Sequence, residues 1–339
     1  MVIAQVPVGE RVVTLRWIFV LLPSLTVLLA AASLLVGAGD VTYREVLGFF
    51  WNGTSDARLE MIITTLRVPR ALAAVLVGVA LGAGGLLLQS ATRNPLAETG
   101  LLGVNSGAAL GVVAGITFAG AESGREYLLC ALAGALAASG AVLLIAATGR
   151  ASPLRLILAG VALGATFKGI SGYLLMRDGS TFDQYRFWAL GSLSGVQQRM
   201  VIQASPLVLI GLVLAALLVR PLSALALGDD TATALGHRPH RIRIVTGLAV
   251  TALAAAAVAV AGPIAFLGLL APWLAHSLSG PDIGGRLFLA AFAGAALLLA
   301  ADMAARVVVR PYEVPASVLI AFLGAPLLIH AAYRLGGSR

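Results

Sequence analysis

Arg67 and Arg70 stand three residues apart at the head of an apolar run, and Asp302 and Arg306 stand four apart near the end of another. At such spacings charged groups share one helix face, and opposite charges neutralise each other. The chemistry they offer is recognition and charge pairing, not bond making. The rest of the chain adds little to that. Of the four histidines (His237, His240, His276, His330) only the first two are close, and they lie in a basic loop that reads as solvated side chains. Cys130 is the single cysteine. It falls inside an apolar run, as a small packing residue with no intrachain disulfide open to it. No Gly-x-x-x-x-Gly-Lys-Ser/Thr phosphate loop occurs, and the only lysine, Lys168, precedes Gly169. We therefore assign no catalytic residue, no metal ligand and no cofactor to this chain. Any ATP hydrolysis that drives it belongs on another polypeptide.

These few charges are set in an apolar chain. Hydrophobic residues make up 59% of the 339 and charged residues only 11%, with a mean hydropathy of +0.97. Too little polar side chain remains to cover a soluble globule. The long apolar runs are continuous, without the alternation of barrel strands. Backbone groups in lipid must bond within their own segment, so the runs read as helices. The fold class expected is an all-α polytopic membrane protein, residues 1–339 forming one transmembrane domain. A crossing needs roughly 20 apolar residues. Ten fit, near 17–37, 71–91, 100–119, 127–147, 155–176, 201–219, 244–262, 263–279, 286–308 and 315–333. The run 244–279 is 36 residues broken at Gly262-Pro263, short for two crossings, and predicts compact or broken helices. The first run follows Arg11 and Arg16 but exceeds a signal-peptide core, so it reads as a retained helix.

With ten spans the termini share a side, and that side carries twelve arginines against ten. The cluster Arg220, Arg238, Arg241 and Arg243 places that side, and both termini, in the cytoplasm. The basic balance reads as membrane orientation and docking, and nucleic-acid binding is not expected. Between the spans, 38–66 is a polar external loop, and Tyr185-Arg186-Phe187-Trp188 sets aromatic rings at an expected membrane–water boundary. Leu227-Gly228-Asp229-Asp230-Thr231-Ala232-Thr233-Ala234-Leu235-Gly236 reads as one short helix, acidic in its first turn and closed by glycine. Gly103, Gly107, Gly111 and Gly115 repeat every four residues, as do Gly78/Gly82 and Gly160/Gly164. Such small-residue stripes let helix backbones approach closely. Residues 70–82 also echo 250–262, as an inverted repeat would.

Several segments, in order, carry a family resemblance. They are Leu66-Arg67-Val68-Pro69-Arg70, Arg93-Asn94-Pro95-Leu96-Ala97-Glu98-Thr99-Gly100-Leu101-Leu102-Gly103, Asn105-Ser106-Gly107 and Ala261-Gly262-Pro263-Ile264-Ala265-Phe266-Leu267-Gly268-Leu269-Leu270-Ala271-Pro272-Trp273-Leu274-Ala275-His276. Gly280-Pro281-Asp282, Leu299 to Arg306, Glu313-Val314-Pro315 and Gly324-Ala325-Pro326 follow. From about residue 60 onward the chain resembles the FecCD permeases of ABC importers for iron–siderophore complexes, heme and vitamin B12. Trp273 stands where that family more often has histidine.

The resemblance implies a type II ABC importer permease fold with an inverted repeat, in a bacterial inner membrane. Its partners would be a second permease subunit, identical or related, two cytoplasmic ATPases that hold ATP and Mg, and a periplasmic or lipid-anchored substrate-binding protein. Arg67, Arg70 and Arg306 match arginines that dock the binding protein, as surface pairs worth only ~0–1 kcal/mol each. Leu227, Gly228, Asp229, Asp230, Ala232, Leu235 and Gly236 match the coupling helix held by the ATPase. The fifth and tenth helices would line the translocation path, which brings Lys168, Ser171 and Met176 into consideration. Lys168 either presents charge to an anionic ferric chelate or reaches outward to Asp178 or Asp183. The segment Phe187 to Gly195 resembles the siderophore and heme branch more than the B12 branch, and the resemblance ranks ferric siderophore first, heme second and cobalamin third. An ion-coupled secondary transporter is the rival of another class, and the shortage of mid-span carboxylates counts against it. A non-transporting membrane scaffold is a second rival; it leaves the polar turns and glycine stripes beside a cavity unexplained.

Overall fold

The computed structural model describes residues 8–37, 41–52, 56–147, 153–280, 282–309 and 312–336. Gly53, Thr54, Arg150, Pro281, Arg310 and Arg339 lie outside them, as do the side chains of Arg11, Arg16, Phe187, His330 and Arg334. Within the described residues the helices are α1 (Val8–Leu35), α2 (Tyr43–Asn52), α3 (Ala57–Met61), α4 (Val68–Thr92), α5 (Val104–Ala119), α6 (Gly124–Ala147) and α7 (Pro153–Arg177). They continue as α8 (Gly179–Ala189), α9 (Gln198–Ala226), α10 (Asp229–Ala234), α11 (Pro239–Ala261), α12 (Leu267–Leu278), α13 (Ile283–Ala305) and α14 (Ala316–Gly336). A π-helical segment, Ile62–Arg67, joins α3 to α4, and a 3₁₀ turn, Thr99–Leu102, precedes α5.

All ten expected spans correspond to apolar helices. Seven are long apolar spans by length and composition, Val104–Ala119 and Leu267–Leu278 are shorter, and α14 runs 21 residues from Ala316 to Gly336. Two expectations are corrected. The second span does not begin after a loop, because Ala57–Thr92 is one continuous 36-residue helical path. The shortfall in 244–279 is not shared either: α11 is full length and α12 keeps only 12 residues. Tyr185 and Trp188 lie with tilted rings 5.9 Å apart and pack, half-buried, against the core.

Residue size decides which helices are central. The Ala-rich α11 is 83% buried and the Gly/Ala-rich α4 is 78% buried, whereas the bulky α1 is 11% buried. Small side chains let a helix be surrounded on all sides. An added Cβ on Gly82 would strike the Ala290 carbonyl, and one on Gly107 would strike Ala138 of α6.

The packing repeats under exchange of the two halves. α4 lies on α11 at the centre, α4 packs on α12 and α13, and α11 packs on α5 and α6. α5 contacts α6 and α7, as α12 contacts α13 and α14. Each half also contains a helix that starts inside the bundle behind a left-handed residue, Gly103 (φ 72°) for α5 and Phe266 (φ 66°) for α12. Thr99 lies beside Gly84, about 12 Å of helix back from the inner end of α4. Phe266 lies beside Gly324, about 12 Å into α14. Both half-helices therefore begin at depth.

Candidate functional site

The outer end is organised by arginines. When α1 stops at Leu35 its last carbonyls have no intrahelical donor. Arg67, from the π-helical segment, donates to the Leu34 carbonyl at 2.7 Å. Arg306, at the end of α13, donates to the carbonyls of Ser33 and Val36 at 2.9 Å each and to Ser33 Oγ at 3.1 Å. It also pairs with Asp302 one turn back. Arg70 grips the same carboxylate from α4, at 2.8 Å through Nη2 and 2.9 Å through Nε, and reaches Glu313 Oε2 at 2.7 Å. Asp302 is wholly buried.

The three arginines are thus brought together, but not as the exposed set the sequence suggested. Arg67 and Arg306 are only 6% and 1% exposed because they cap α1. Nor is Asp302 a local partner of Arg306 alone. A cavity of about 480 Å³ opens here, lined by Arg58, Arg67, Arg70, Arg306, Glu313 and Gln197. Glu313 belongs to the recognised Glu-Val-Pro motif but was given no role. Ser33 and its carbonyl neighbours carry no sequence signal.

At the inner end, α10 is a six-residue helix between Gly228 (φ 121°) and Gly236 (φ 81°), conformations that side chains rarely adopt. Ala232 is its buried anchor, while Leu227 and Leu235 are 69% and 59% exposed at its two ends. Asp230 is exposed. Asp229 accepts from Arg93 at 2.6 Å and Arg243 at 2.8 Å. The hydrogen bond from Arg243 is the largest influence on its carboxyl; burial opposes it, and with the charges of Arg243 and Arg93 added the carboxyl is held below the usual range.

Between the two ends α7 presents a largely open face. Lys168 and Met176 are exposed on it, Met176 at 92%. Lys168 has no ion-pair partner among the described residues. Neither outward candidate takes it: Asp178 caps α8 through Ser180 and Thr181, and Asp183 pairs with Arg186. Ser171 turns the other way, buried and bonded to the Phe167 carbonyl at 2.8 Å, so it does not share the face of Lys168.

Glu98 joins Glu313 and Ser33 among the polar residues the sequence reading leaves without a role. The turn 93–103 does not stay at the membrane surface; it re-enters the bundle and carries Glu98 with it. Glu98 Oε1 accepts the Phe266 N–H at 2.8 Å, capping the start of α12 from the opposite half of the molecule. The available signal was Pro95, Gly100 and Gly103 in one short turn. Glu98 is thus a carboxylate at depth, committed to a backbone donor.

Among the described residues, ten apolar helices, two of them re-entrant half-helices, and a charged knob at one end define a polytopic permease. The FecCD transport family matches residues 25–334, and the chain belongs to that family. It is 44% identical over 315 residues to the ferric enterobactin permease FepD of Escherichia coli K12, covering 91% of this chain and 93% of that one. It is 38% identical to the Fe(3+)-citrate permease YfmD of Bacillus subtilis 168 (88% and 89% covered) and 36% to the hemin permease HmuU of Yersinia pestis (90% and 92%). A metal-chelate type ABC transporter solved in an inward-facing conformation superposes with a TM-score of 0.80 at 28% identity, covering 94% of this chain and 99% of that one. PsaBC of Streptococcus pneumoniae, at 17% identity and a TM-score of 0.54 over 84% and 93%, shares the fold. The chain is therefore the transport subunit of an ABC importer, and an ion-coupled secondary transporter is set aside.

Proposed function

We propose that this permease imports ferric siderophores, with heme the second choice and cobalamin the third. The observation that carries the reading is the near full-length match to a family whose relatives are named for ferric chelates. In this reading the chain spans the bacterial inner membrane with both termini cytoplasmic and pairs with a second permease subunit. It receives cargo from a periplasmic or lipid-anchored binding protein and is driven by two ATPases that hold ATP and Mg, with no cofactor of its own.

Leu227, Leu235 and the acidic turn of α10 would enter the ATPase. At the outer mouth Arg67, Arg70 and Arg306 outnumber Asp302 and Glu313 by one charge, and Arg58 adds another. A positive mouth steers acidic side chains of a docking protein and sets their orientation. The faces of α7 and α14 would line the path, Lys168 and Met176 directly and Ser171 from within the wall.

The test is reconstitution with the cognate ATPase and binding protein, loaded in turn with radioactive iron on catecholate, hydroxamate and citrate chelators, with hemin and with cobalamin. ATP-dependent accumulation of a siderophore chelate is expected. Accumulation by this chain alone on a proton or sodium gradient would overturn the reading.

A further inference from the structure

A groove of about 510 Å³ lies beside α10. It lies between two stripes at helical spacing: Leu214, Leu217, Leu218 and Pro221 on α9, and Arg238, Arg241, Ile242 and Val245 on α11. Along α11 the stripe changes from cationic to apolar within about 10 Å. That is the change of environment from headgroup to acyl chain.

The cations are uncommitted. Arg93 and Arg243 are taken up by Asp229, but Arg238 and Arg241 are exposed and have no ion-pair partner among the described residues. The apolar wall is open as well, with Leu217 69% exposed. α9 packs chiefly on α4, α11 and α13, away from α7 and α14. The groove thus lies on the flank of the bundle and not along the expected path.

We propose that this groove holds an anionic phospholipid of the cytoplasmic leaflet, its phosphate at Arg238 and Arg241 and an acyl chain against Leu214, Leu217 and Val245. Basic clusters at the cytoplasmic edge of transmembrane helices recognise such headgroups. A soluble protein can reach the arginines but not Leu214, about 9 Å of helix deeper than Arg220. Charge and depth together select a lipid. Gly236, the hinge that closes α10, lines the same groove, so the lipid would touch the coupling element directly. The proposal rests on the reading that places α10 in the cytoplasm.

The test titrates phosphatidylglycerol into phosphatidylcholine nanodiscs holding the permease–ATPase complex. Arg238→Gln with Arg241→Gln should weaken phosphatidylglycerol binding roughly 30-fold, about fivefold per guanidinium. Arg238→Lys with Arg241→Lys should bind nearly as the natural protein does, which separates lost charge from a misfolded groove. Unchanged affinity in the glutamine pair would overturn the proposal, as would full competition by inorganic phosphate. Loss of the ATPase with lipid affinity intact would assign the arginines to the ATPase and overturn it too. ATP-driven uptake in pure phosphatidylcholine vesicles tests the transport reading separately, so either can fail alone.

Discussion

Asp302 shows how much a single buried carboxylate can organise. It faces Arg70 and Arg306 at once, 1% exposed, and those arginines in turn hold Glu313 and the end of α1. Removing one partner of a buried pair leaves the other charge uncompensated, which costs far more than the pair's net worth. Asp302→Ala is expected to lose about 3–5 kcal/mol in denaturant unfolding in detergent. Glu313→Gln, at a 28% exposed side chain, should lose less than about 1 kcal/mol. Equal losses would show that the cluster is not centred on Asp302. The sequence disclosed half of this site, because Asp302 and Arg306 are one turn apart. Arg70 is 232 residues away from its partner, and only the fold closes that distance. Lys168 is the opposite case, a charge with no partner to explain it. Lys168→Met should leave folding unchanged and lower uptake of carboxylate-bearing ferric chelates by several-fold, the scale of one weak exposed ion pair. Unchanged uptake of every chelate would end its role in the path.

Among the elements, α12 depends on residues distant from it in sequence. A helix that begins inside a membrane bundle exposes N–H groups where no water waits to meet them. Glu98 meets one of them, reaching from the first half of the chain into the second. Glu98→Gln keeps an acceptor oxygen and should unfold nearly as the natural protein does. Glu98→Ala should lose about 1–3 kcal/mol, the penalty for a buried unsatisfied group; a glutamine variant as unstable as the alanine one would count against the cap. The glycine stripes make a second element-scale prediction. Gly82→Ala drives a methyl group into the Ala290 backbone and should destabilise by about 1–3 kcal/mol. Gly140→Ala meets open space and should gain up to about 1 kcal/mol from helix propensity. Thermal unfolding of the pair in one detergent decides this. Helix number and most boundaries were legible because lipid demands continuous apolar runs. The half-helices were not, since the turns that re-enter read locally like any Pro/Gly turn at a surface.

For the whole molecule, the decisive connection runs from α10 to the centre of the bundle. Asp229 is held by Arg93, the residue that caps α4, and by Arg243 in the first turns of α11. α4 and α11 are also the two most enclosed helices, and they occupy matching places in the two halves. On the proposed reading of α10, a push on it would reach both halves through this one carboxylate. On that same reading, holding the ATPase and transmitting its motion are separable tasks. Leu227→Asp with Leu235→Asp places charge on the exposed apolar ends of α10, each forfeiting about 1.5–3 kcal/mol of burial, and should abolish co-purification with the ATPase. Asp229→Ala leaves those ends intact and cuts the link. The ATPase should stay bound and hydrolyse ATP, while uptake per ATP falls by roughly 5- to 150-fold, the range of coupling energies between linked sites. Parallel measurement of co-purification, hydrolysis and uptake decides it, and a variant that loses the ATPase together with uptake would make Asp229 part of the grip instead of the link.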